Sequence, residues 1–315
     1  MLADLQFAFM VTAPVFCVLL AGVVLRRINL ITDHFARVGA NLVFRVTLPC
    51  LLFVKLSQAD FTHNLPVALI CYAMVSTLVV FVFLDIIIAP RLSNTEKRGV
   101  FVQGAFRGNM GIIGLAFCIS AFGEDAIAKA SIYLAFMTTL YNILAVITLS
   151  RHNQSADADV DVKKLLWGII KNPLILAIVA GAIVSITALP VPEVAMKTGI
   201  YFAQMTLPLA LLCAGATIRL REFYSSPELY GALLCKLVLV PLIVTGGAIA
   251  VGLRSESLGI LYLMSSAPTA AASYPMTIAL GGDKYLSAAI IAATLSGSLL
   301  STTVGIFVLK FFQFI

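Results

Sequence analysis

The chain has 315 residues, 61% of them hydrophobic and 11% charged, and its mean hydropathy is +1.03. Soluble domains run nearer about 45–50% apolar and about 25% charged, so this composition could not cover a water-facing surface and the solvent is read as lipid. That excludes a soluble enzyme, a nucleic-acid binder and a secreted disulfide scaffold; the net charge of +6 is read as loop charge on one side of a bilayer.

In chain order, the opening MLADLQFAFM has no Lys or Arg ahead of its apolar run. It lacks the basic start of a signal peptide and is expected to be a retained first helix. Apolar stretches long enough to cross a bilayer, about 20 residues each, fall at 5–25, 38–57, 65–89, 99–121, 126–149, 165–188, 196–218, 229–252, 259–280 and 285–311. They are numbered here as spans one to ten. The polar stretch 150–164 between spans five and six is the one plausible linker, and there is no room for a soluble domain. Thirteen of the 21 Lys and Arg residues lie in the odd-numbered connections and five in the others. The positive-inside rule then puts the linker in the cytoplasm and both termini on the extracytoplasmic side. Six cysteines lie in apolar runs with no CxxC spacing and are expected to be small buried hydrophobes.

The sequence repeats itself. Pro14 and Pro173, Gly22 and Gly181, and Thr47-Leu48-Pro49 and Thr206-Leu207-Pro208 are each 159 residues apart, and Gly123 and Asp125 recur at Gly281 and Asp283. A unit of five helices is odd, so the second copy enters the membrane from the opposite side. The expected fold is an all-α membrane protein of ten transmembrane helices in a 5+5 inverted repeat, the architecture of secondary transporters.

Span four carries Gly99, Gly104, Gly108, Gly111 and Gly114 around Asn109; span nine, its repeat partner, carries Pro268 and Pro275. Pro frees a carbonyl and Gly permits non-helical dihedrals. Unpaired peptide groups at mid-membrane cost several kcal/mol unless protein, water or ligand satisfies them. Breaks at equivalent places predict two discontinuous helices crossing at the midplane, their half-helix N-termini offering partial positive charge to an anion. The bland alternative is two kinked, closely packed helices.

Arg45, Arg107 and Lys236 are the basic residues inside spans, and Asp85 is the acid well inside one. Arg107 is read as a contact or field source for an anionic substrate, against a snorkel to the interface. Arg45 either serves the substrate or pairs structurally, with a carbonyl or Asp85; Lys236 is expected to snorkel. Asp125 and Asp283 are read as helix caps. In span five Tyr141 and Asn142 are candidates to line a polar cavity, with Asn142 expected to face the interior. The Ser/Thr-rich span ten is read as a packing surface.

At these residues the chain resembles the auxin efflux carrier family, which includes plant PIN-type carriers and bacterial organic-acid permeases. The resemblance covers essentially the whole chain and rests on VTLPCLLF (46–53), FRGNMGIIGLAF (106–117), KNPLILAIVAG (171–181) and MTLPLALLCAGATI (205–218) in that order. It implies a fold similar to the bile-acid symporters and the sodium/proton antiporter. Residues 1–64 and 165–228 would form a scaffold, 65–149 and 229–315 a mobile transporter part, and 150–164 the cytoplasmic linker between halves. It implies that Asn109 and Pro268, with neighbouring Gly108, Met110, Gly111, Thr269 and Ser273, hold a substrate carboxylate. A homodimer is likewise implied. The chain departs from the family pattern at Ala116, where Pro is frequent, and at Ala272, where Asn is. No cofactor and no metal are expected, and the acidic ligands of a strong sodium site are missing.

The function expected is therefore secondary transport of a small organic anion, of malonate, malate or auxin-like type, by alternating access of an elevator kind. Its partners are that carboxylate and membrane lipid. The competing classes are a non-transporting membrane ligand sensor, a cation-coupled or antiporter-type carrier, and a membrane enzyme. The last finds no HExxH motif, no nucleophile beside a base and no paired acids in adjacent helices.

Overall fold

The computed structural model describes residues 1–58, 66–124, 126–152, 171–217 and 225–315. The linker residues 153–164, the first six residues of span six, Arg219, Arg221 and Asp125 lie outside the described residues. The chain begins with α1 (Leu2–Arg27), which ends on Arg26 and Arg27, cations suited to a helix C-terminus. Thr32 caps α2 (Asp33–Leu42) by accepting the Phe35 N–H at 3.1 Å, and α2 runs through a π-helical turn (Val43–Thr47) into α3 (Leu48–Ser57). After α4 (Val67–Val82) comes a second π-turn (Phe83–Ile88) and a 3₁₀ turn (Ala89–Arg91). Next follow α5 (Thr95–Phe106), a π-turn (Met110–Gly114), α6 (Leu115–Phe122) and α7 (Ala126–His152). The second half has α8 (Pro173–Thr187), α9 (Glu193–Ala216), α10 (Pro227–Leu234), a π-turn (Cys235–Leu239) and α11 (Val240–Ala250). It closes with α12 (Ser255–Ser266), α13 (Ser273–Ala279) and α14 (Lys284–Phe311).

Three of the π-turns share a cause. They end at Thr47, Ile88 and Leu239, and Pro49, Pro90 and Pro241 stand two residues beyond. A proline ring leaves the carbonyl four residues back without its N–H, and widening the preceding turn by one residue accommodates the clash.

Among the described residues seven helical stretches are long and apolar enough to span a membrane, where ten spans were expected. The difference lies in spans four, six and nine. Four and nine occur as half-helices, α5 with Met110–Phe122 and α12 with α13, and the described part of span six holds a helix of only Pro173–Thr187. The outer surface carries Phe9, Leu20, Ile186, Leu242 and Leu300, as a lipid-facing surface should. Cys17 and Cys71 are exposed on it, contrary to the expectation that all six cysteines are buried; Cys118 and Cys213 are buried.

Two helix pairs pack backbone to backbone. α1 lies against α9 and α3 against α8. A Cβ on Gly22 would sit 2.3 Å from the Leu212 carbonyl oxygen, and one on Gly181 would sit 3.0 Å from that of Phe53. Glycine is what permits the approach, and the two contacts exchange partners at the same spacing of 159 residues. Span ten packs as expected: Ser298 donates to Leu295 O at 2.9 Å and Thr303 to Leu299 O at 2.6 Å, satisfying hydroxyls within α14.

Candidate functional site

α5 ends at Phe106, where Arg107 turns extended (φ −82°, ψ 104°) while its N–H still closes the helix on Gln103 O at 3.0 Å. α12 ends at Ser266, and Ala267 is extended as well (φ −54°, ψ 137°). The two stretches meet antiparallel at Gly108 and Thr269. Asn109 N–H donates to Pro268 O at 2.7 Å and Ala270 N–H to Arg107 O at 3.1 Å. Both helices are thus interrupted, and the peptide groups released by one satisfy those released by the other. Gly108 suits this close approach, because a Cβ would lie a tight 3.1–3.3 Å from Lys236 Nζ, Met264 O and Ala267 O. Pro268 contributes only its carbonyl, having no N–H. Pro275, expected to break span nine a second time, lies inside α13. It is the third residue there, where the N–H has no intrahelical partner anyway.

Beyond the crossing Asn109 heads the second half-helix, its carbonyl accepting from Ile113 and Gly114 N–H at 3.1 Å. Asn109 and Gly111 are half-buried, Gly108 and Met110 buried, and Ala271 and Ala272 exposed. Gly111 faces Leu48 of α3 and Leu134 of α7, so this edge of the crossing borders the α3 helix. Thr269 is turned inward: its hydroxyl donates to Gly104 O at 2.7 Å and its N–H to Thr294 Oγ1 at 3.1 Å. Ser273, opening α13, is buried with its hydroxyl unpaired among the described residues.

Arg107 is only 5% exposed. Its guanidinium donates to Asn142 Oδ1 at 2.6 Å and contacts Met276 Sδ. It is held between α7 and α13 and does not reach an interface, so the snorkel alternative is set aside. Asn142 faces the interior as expected. Tyr141 packs edge-on against Phe106 with centroids 5.4 Å apart and lines a small cavity together with Thr77 and Ser265.

Arg45 is exposed on the π-turn between α2 and α3 and joins neither the crossing nor Asp85. Asp85, 1% exposed, is bound instead by Thr148 Oγ1 at 2.6 Å, Arg151 Nη1 at 2.9 Å and His152 Nε2 at 2.9 Å, tying the end of α4 to the end of α7. Lys236 was expected to snorkel, yet it is 0% exposed. Its Nζ donates to Ser265 O at 3.0 Å. A carbonyl in the last turn of an interrupted helix is its acceptor where water cannot reach. Asp283 caps α14 as expected, accepting from Tyr285 and Leu286 N–H. Sequence reasoning misread Lys236 and missed the partners of Asp85, both of which packing alone brings together. Among the described residues no three His, Cys, Asp or Glu side chains are placed to hold a metal ion.

Two interrupted helices crossing mid-bundle, within a chain of long apolar spans, define an integral multi-pass membrane protein of transporter type. The profile described as "Membrane transport protein" matches residues 7–306, and the chain belongs to that family, the auxin efflux carrier-like one its motifs resemble. Among curated proteins it is similar to the "Uncharacterized transporter YfdV" of Escherichia coli strain K12, of Escherichia coli O157:H7 and of Shigella flexneri. Each is 24% identical over 265 residues, covering 82% of this chain and 83% of the relative.

Proposed function

We propose that the protein is a secondary carrier of small organic anions, such as malonate or malate, and that the carboxylate is held at the crossing. The observation that carries this is the buried Arg107 guanidinium beside the bridged peptides, whose partners among the described residues are the Asn142 amide and Met276 Sδ and not a carboxylate. A fixed positive charge in a low-dielectric setting, next to a helix start, favours an anion over a cation. Half-exposed Asn109 and the unpaired Ser273 hydroxyl add polar groups for carboxylate oxygens.

In this reading the chain is a 5+5 inverted repeat, supported by the exchanged Gly22–Leu212 and Gly181–Phe53 contacts. Residues 1–64 and 165–228 form the scaffold, and 65–149 and 229–315 the part that carries substrate across as an elevator. Both termini lie outside the inner membrane, and a homodimer is the assembly.

The test is uptake of radiolabelled malonate and malate into proteoliposomes by the parent and Asn109→Ala. A fall of tenfold or more is expected for the variant, and equal uptake overturns the site.

A further inference from the structure

Lys236 is an entirely buried amine beside the crossing. Its Nζ holds Ser265 O at the last turn of α12 and would lie 3.1 Å from a methyl group on Gly108. The elements packed against its turn are α5, α10, α11, α12 and α14. From α5 comes Arg107, turned away toward Asn142 and Met276; α11 has no titratable group. The remaining charged groups on these helices sit at helix ends: Lys97 pairs with Glu228 at 3.4 Å, and Glu256 with Lys129 at 2.7 Å. Tyr262 donates to Ser301 O at 3.0 Å, and Tyr141 of α7 lines the same small cavity as Ser265. Among the described residues no ion pair joins Lys236 to a carboxylate.

The two cations beside the crossing therefore differ in kind. A guanidinium keeps its proton in any protein environment, whereas a buried amine exchanges its proton readily. An anion at the crossing lies close to Nζ through low-dielectric protein and favours the ammonium. By reciprocity the ammonium favours the anion by the same factor. Ser265 also lines a small cavity with Thr77, Tyr133 and Tyr141, whose hydroxyls offer a route for a proton.

We propose that Lys236 couples transport to protons. Its amine lone pair takes up one proton as the carboxylate binds, and that proton returns to water when the carboxylate leaves, so the carrier is a carboxylate–proton symporter. This rests on the carrier reading above. The test uses proteoliposomes holding an internal pH dye, with malonate, malate, succinate and benzoate as probes, protein-free liposomes as blanks, and the parent beside Lys236→Arg and Lys236→Met. The parent should acidify the interior as carboxylate enters, with uptake rising as external pH falls, by at most about tenfold per pH unit for one proton. Lys236→Arg, which keeps the charge, should lose both the acidification and the pH dependence of the carboxylate counterflow that it supports. Lys236→Met should lose both as well. Uptake of none of the four probes by the parent overturns the carrier reading and this assignment with it. Uptake by the parent without acidification, or acidification that persists in Lys236→Arg, overturns the Lys236 assignment alone.

Discussion

Arg107 and Asn142 form a pair whose amide oxygen is the guanidinium's closest oxygen partner, 2.6 Å away. Replacing Asn142 by Ala removes that acceptor from a buried cation. A loss of about 1–3 kcal/mol is expected, read as a lower unfolding temperature in detergent. Asn142→Asp separates structure from function, because it gives Arg107 a carboxylate in the same place. The fold should hold its melting temperature while malonate uptake falls by tenfold or more, the internal acid occupying the charge that the substrate needs. Undiminished uptake in Asn142→Asp would mean that the Arg107 charge does not attract the substrate. Such residue-level roles were only partly legible in the sequence. Arg107 and Asn142 were readable because a charge or an amide inside a membrane span needs a partner. Lys236 was not, because what satisfies it is a backbone carbonyl released 29 residues away by a helix break, and backbone acceptors leave no mark in sequence.

Between elements, contact distance decides which small residues matter. Gly215 of α9 meets α1 so closely that a Cβ would lie 2.0 Å from Leu19 O, and that carbonyl is fixed in its own helix. Gly215→Ala should destabilise by about 3 kcal/mol through forced separation of the two helices. Gly246 in α11 has nothing within 4 Å of the same position, and Gly246→Ala should stabilise by about 0.5–1 kcal/mol. Melting temperatures that move alike in the two variants would refute the close-packing account. The breaks themselves were legible because Gly and Pro cluster at equivalent places in spans four and nine. Pro275 misled, since a proline reads as a stop wherever it falls, while its effect depends on whether its turn had a spare N–H position. Asp85 escaped for another reason: its partners lie 63 to 67 residues away on α7, and only packing brings them together.

For the whole molecule, the division into scaffold and moving part makes a mechanical demand. Lys55 at the end of α3 pairs with Glu124 just after α6, a contact between the proposed scaffold and the proposed moving part. Arg26 and Asp33 pair at 2.7 Å within the scaffold. If the parts slide past each other, Lys55–Glu124 must separate during each cycle, while Arg26–Asp33 need not. With the exposed Cys17 and Cys71 replaced by Ser, a Lys55→Cys/Glu124→Cys pair joined by a short thiol-reactive linker should lose uptake, and a cleavable linker should restore it on reduction. The same linker across Arg26→Cys/Asp33→Cys should leave uptake within about twofold of the unlinked protein, since it bridges groups that travel together. Full uptake with Lys55 and Glu124 positions linked would rule out relative motion of these two parts. A membrane-impermeant reagent added outside right-side-out vesicles should reach Lys55→Cys, because the count of basic residues places that connection opposite the cytoplasm; protection from outside with labelling from within would invert the orientation of the whole chain.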